Sequence, residues 1–77
     1  MCSLYSVVCP IENCKKHFKI IICSLKDLQN HIFFDHDYQQ KLQTAFNLGI
    51  ISNITDHRSA LWLSEELALM GVIKAES

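Results

Sequence analysis

Two cysteines and two histidines in matched pairs constrain this chain more than any other feature. Cys9 and Cys14 enclose four residues, His31 and His36 enclose four more, and sixteen residues separate the pairs. Thiolates and imidazoles in two such pairs are the donor set of a closed tetrahedral metal site. The chain has 77 residues, and a core of that size supplies only about 3–5 kcal/mol, so a staple is expected. The four cysteines (Cys2, Cys9, Cys14 and Cys23) also allow two disulfides in three connectivities. Residues 1–8 carry no basic start, and their apolar stretch stops at Pro10, so they do not read as a secretory leader. The expected compartment is therefore reducing, nucleus or cytoplasm rather than outside the cell, where clustered Cys and His mean metal before disulfide. The longest apolar run, Leu67 to Ile73, falls well short of the ~20 residues that cross a membrane.

Periodicity places the four ligands on definite elements. Tyr5 to Cys9 reads as a strand, Pro10 to Asn13 as a turn, and Phe18 to Cys23 as a second strand with Phe18, Ile20 and Ile22 on one face. Ser24 reads as a helix N-cap with Asp27 three residues on, and Leu25, Leu28, His31 and Ile32 recur at helical spacing. Histidines five residues apart lie about 140° apart on an ideal helix, so the helix must tighten or unwind at its end to bring them together. After His36 the pattern restarts with Tyr38, Leu42, Ala45 and Phe46, and Gly49 reads as a stop. A third helix is expected from Thr55 or Asp56 to about Met70, ending at Gly71. The soft boundary near residue 37 gives a first unit at 1–37 and a helical extension at 38–77, packed on the first unit or on a partner.

Residues 7–36, somewhat under half the chain, resemble the two-Cys, two-His ββα zinc finger family. Members carry an apolar residue two before the first Cys, an aromatic four after the second, and a leucine three before the first His; here these are Val7, Phe18 and Leu28. The resemblance implies a small α+β fold, a ββα finger followed by two C-terminal helices, with one structural Zn²⁺ on Cys9, Cys14, His31 and His36. One departure stands out: nine residues lie between Phe18 and Leu28, where the family usually has five. The extra four are expected to lengthen the hairpin, with Ile22 taking the aromatic's usual depth. Cys23, His17 and Asp35 remain alternatives for one ligand position. Binding free energy for such a metal is on the order of 10–16 kcal/mol in finger peptides, far more than the core supplies.

The net charge of −1 is unevenly spread: residues 1–26 carry four lysines against one glutamate, and residues 27–77 carry three bases against seven acids. A phosphate-binding domain normally shows a basic footprint. Here Lys15, Lys16, Lys19, Lys26 and Asn30 are the candidate nucleic-acid contacts, but Asp27 shares the helix start and no Arg stands there to grip guanine. The third helix is apolar on nearly every side, so more surface asks for burial than one small chain can provide. Trp62, Leu63, Leu67 and Met70 are the candidate protein interface, for a partner or a homodimer through the C-terminal helix. The expected role is thus a zinc-stabilised protein–protein interaction module, an adaptor or subunit, with a single-finger DNA-binding regulator or RNA binder as second choice. No nucleophile, paired carboxylates or phosphate loop is left once the metal ligands are taken, so neither an enzyme nor a small-molecule substrate is expected.

Overall fold

The computed structural model describes residues 4–21 and 24–76. Its first element is a hairpin of β1 (Leu4–Val8) and β2 (His17–Ile21), antiparallel with Val7 opposite Phe18 and Leu4 opposite Ile21. Period-two alternation divides the hairpin cleanly. Tyr5, Val7, Phe18 and Ile20 turn inward, whereas Leu4, Ser6, Val8, His17, Lys19 and Ile21 face solvent. Each strand has five residues, and β2 runs to Ile21 against Leu4. The expected continuation through Ile22 and Cys23 lies outside the described residues, as does Cys2.

Helix α1 (Lys26–Asp35) follows. Ser24 is not its cap: Leu25 holds that position without a side-chain bond, and the Ser24 N–H donates to the Ile21 carbonyl at 2.9 Å. A tight turn leaving β2 has claimed the serine that a capping box would have used. The chain then breaks at His36, whose backbone is extended (φ −118°, ψ 143°), and α2 (Tyr38–Asn47) starts afresh. Asp37 and Gln40 cap it reciprocally, Asp37 Oδ1 accepting the Gln40 N–H at 2.8 Å and Gln40 Oε1 accepting the Asp37 N–H at 3.2 Å. At the other end Gly49 takes the left-handed conformation (φ +80°). The Gly49 N–H then reaches Phe46 O at 3.1 Å and the Ile50 N–H reaches Ala45 O at 2.9 Å, a Schellman stop. Leu42 and Ala45 of the predicted stripe are buried; Phe46 is exposed.

Helix α3 (Ala60–Glu76) departs from expectation at both ends. Thr55 and Asp56 do not cap it, because both are folded into a turn around Asn53, whose side-chain oxygen accepts from Thr55 and whose carbonyl accepts from Asp56. The cap is Ser59, with Oγ accepting the Trp62 N–H at 3.0 Å. Gly71 does not end the helix but sits inside it. A Cβ there would lie 3.2 Å from Val7 Cγ1, 3.5 Å from Leu28 Cδ2 and 3.6 Å from Pro10 Cδ. The glycine is a close approach, letting α3 lie against β1 and α1. The core that results runs from Val7, Ile20, Leu28 and Ile32 through Leu42 and Ala45 to Leu63, Leu67, Ala68 and Val72. No helix among the described residues is long and apolar enough to cross a membrane.

Candidate metal centre

The knuckle between the strands presents the two thiols. Cys9 N–H donates to Lys16 O at 3.0 Å, holding the strands together at the mouth of the loop, and Cys14 N–H donates to Ile11 O at 3.1 Å. Asn13 turns the chain with φ +68°, a conformation Asn adopts more readily than most residues. The histidines come from the end of α1. His31 is still helical, and His36 reaches the same point only because the helix has unwound by then. This is the unwinding that the five-residue step demands.

The four donor atoms, Cys9 Sγ, Cys14 Sγ, His31 Nε2 and His36 Nε2, lie within 4.8 Å of one another. Three of the six edges between them can be tested. A tetrahedron with metal–sulfur bonds of ~2.3 Å and metal–nitrogen bonds of ~2.05 Å has N···N edges of about 3.3 Å and N···S edges of about 3.6 Å. His31 Nε2 and His36 Nε2 are 3.3 Å apart, Cys14 Sγ and His31 Nε2 3.5 Å, and Cys9 Sγ and His36 Nε2 3.6 Å. These residues are positioned to hold a metal ion. No family model, no curated protein and no solved structure matches the chain.

What stands behind the ligands agrees with this. His31 Nδ1–H donates to Asp35 Oδ2 at 2.7 Å, and His36 Nδ1–H donates to Gln40 Oε1 at 3.2 Å. A carboxylate only accepts, and the Gln40 oxygen is identified by the Asp37 N–H that also donates to it. Both imidazoles therefore carry their proton on Nδ1 and turn a lone pair on Nε2 toward the centre, the arrangement that orients metal-binding histidines. Burial pushes the Cys9 thiol up to about 12; a neighbouring hydrogen bond and charge from Cys14 and the Asp35 carboxylate add to this, while a backbone bond at Ile11 opposes it. A dication reverses that preference by coordinating the thiolate. Two thiolates, two neutral imidazoles and one dication sum to zero charge, which a half-buried site tolerates.

Two of the three alternatives to the four ligands are placed away from the centre. His17 is on the solvent face of β2, opposite the inward Phe18 and Ile20. Asp35 stands behind His31 as its hydrogen-bond partner and not at a ligand position. Cys23 lies outside the described residues. The apolar trio surrounds the centre: Val7 and Leu28 are fully buried, and the Phe18 ring packs on His31 with centroids 4.9 Å apart. Phe18 thus keeps the aromatic's place.

The remaining candidates divide by exposure. Lys15, Lys16, Lys19, Lys26 and Asn30 are all solvent-facing, spread over the knuckle, the outer face of β2 and the first turns of α1, with Asp27 also exposed beside Lys26. Lys16 Nζ lies 5.7 Å from the Phe18 ring centre. On α3, Leu63 and Leu67 are fully buried in the chain's own core, so they offer no surface to a partner. Trp62 and Met70 are half-buried, and Arg58 stacks over Trp62 at 5.0 Å.

Two further residues, Gln40 and Lys41, contribute to the centre without a sequence signal of their own. Gln40 stands four residues after His36 as Asp35 stands four after His31, and that shared interval is the one pattern that points to it. Lys41 is buried, donates Nζ to Phe33 O at 3.1 Å and lies 4.9 Å over the Phe33 ring. It ties α2 to a carbonyl in the last turn of α1 and so braces the break at His36.

Proposed function

We propose that this chain is a zinc-stabilised interaction module of the ββα finger type, in which one Zn²⁺ on Cys9, Cys14, His31 and His36 is structural. The observation that carries the reading is three donor edges of 3.3, 3.5 and 3.6 Å within a four-donor cluster, backed by a hydrogen-bond partner on each imidazole. Cys₂His₂ donors with tetrahedral edges favour zinc, and four protein ligands leave no position for a reactive water. The metal's role is then to supply the folding free energy that the small core lacks. Metal analysis should find one zinc per chain, and Co²⁺ substitution should give the absorption of a tetrahedral S₂N₂ site. A chain that folds fully without metal, or a Cys9→Ser variant that keeps its zinc, would refute the assignment.

The partner is proposed to be protein. Leu61, Leu69 and Ile73 leave an exposed apolar run along α3, whereas the lysines are dispersed and acids dominate after residue 26. Nucleic acid is the second reading, favoured by the solvent-facing Lys15, Lys19, Lys26 and Asn30. Titrations of DNA, RNA and candidate proteins at two salt concentrations separate the two. Phosphate-driven binding weakens steeply with salt and with Lys26→Ala; apolar docking is lost with Leu69→Asp instead. Leu63 is unsuited to that test because its substitution opens the core.

A further inference from the structure

We propose that the chain docks onto a second copy of itself head to tail, with the outer stripe of α3 from one copy lying across the solvent face of the β-hairpin of the next. This rests on the interaction-module reading and names its partner. The stripe is Leu61, Glu65, Leu69 and Ile73, spaced i, i+4, i+8, i+12, and its apolar members stay 58%, 43% and 47% exposed. The hairpin face reads as three cross-strand levels: Leu4 with Ile21, Ser6 with Lys19, and Val8 with His17.

Both surfaces run apolar, charged, apolar, and their charges are opposite. Their repeats also match. Successive levels on one face of a strand are about 6.7 Å apart, and four residues of helix rise about 6 Å. With Glu65 set over Lys19, Leu61 and Leu69 therefore fall on the Leu4–Ile21 and Val8 levels. Neither Lys19 nor Glu65 belongs to an ion pair among the described residues. A chain cannot satisfy this match alone, because α3 meets the inward side of its own β1 through Gly71 and its stripe looks away. Unlike faces that meet this way build rings or open chains, not a closed two-fold pair.

Sedimentation of the metal-loaded full chain across a concentration series should show an average mass that rises past two copies, with weaker association at high salt. Lys19→Glu and Glu65→Lys, both exposed and outside the core and the metal cluster, should each lower the association constant about tenfold or more, because like charges then meet at every junction. Mixing the two variants, or combining both substitutions in one chain, should restore association. Circular dichroism and zinc content should be those of the native chain in all variants. Association that ignores both charge reversals, or that stops at a closed pair, overturns the proposal. A strictly monomeric native chain overturns self-docking alone, since the interaction-module reading is decided separately by the salt titrations.

Discussion

Asp35→Ala isolates the part of the metal centre that is not a ligand. The substitution deletes the acceptor 2.7 Å from His31 Nδ1 and leaves all four donor atoms in place. Loss of such a partner typically costs 10–100-fold in metal affinity. The carboxylate is 57% exposed, so water can replace part of the interaction, and the expected loss lies at the lower end, about tenfold or ~1.4 kcal/mol. Asp35→Asn keeps an oxygen but not the charge, and should fall between the native chain and Asp35→Ala. Gln40→Ala removes a neutral, longer and exposed bond of 3.2 Å, and should cost about two- to threefold. Competition against a chelator of known zinc affinity reads all three, with stoichiometry checked at saturating metal. One zinc per chain with graded affinity is expected. Unchanged affinity in Asp35→Ala would show that His31 needs no orienting partner; a lost metal would make Asp35 a ligand and refute the assignment above.

Three further outcomes are expected. Zinc uptake near neutral pH should release about two protons, because both ligand thiols must ionise on coordination; affinity should accordingly fall as pH falls, and calorimetry in buffers of different ionisation enthalpy checks this. Gly71→Ala gains up to ~1 kcal/mol of helix propensity but places a methyl 3.2 Å from the fully buried, β-branched Val7, so it should be near neutral in denaturant melts, whereas Gly71→Leu should destabilise by about 1–3 kcal/mol or more through overpacking. Burial lowers the Lys41 pKa from its ordinary 10.5, with Asp37 opposing, so the unfolded chain binds more protons between the lowered value and 10.5 and stability should rise with pH across that window; Lys41→Met should abolish that rise, measured as the difference between the two proteins' denaturation midpoints.

The metal cluster was legible because its information is local to four residues of two types and three intervals, and because a five-residue histidine step admits only a few backbone solutions. The inward and outward faces of the hairpin were legible for a similar reason, since a period of two leaves no freedom once Val7 and Ile20 are assigned to the core. Other features depend on contacts that no local pattern carries. Gly71 looks the same whether it stops a helix or lets one approach a strand, and only Val7, sixty-four positions earlier, decides. Ser24 and Asp37 are both good caps by composition, but the turn after Ile21 took the first and left the second free. Leu63 and Leu67 belong to an apolar helix whose buried side is chosen by α1, α2 and β1 together, so core and surface could not be told apart from α3 alone.

The break at His36 has a thermodynamic consequence. The last ligand of the centre stands immediately before the cap of α2, and one amide oxygen, Gln40 Oε1, accepts from both the Asp37 N–H and the His36 imidazole. Fixing His36 on a metal therefore also fixes the residue that starts α2, and an ordered α2 in turn lowers the entropy that the metal must overcome to hold His36. By linkage the two effects are equal. Loading an ion and ordering the start of α2 are thus coupled, and a metal held here would act on residues beyond those it touches.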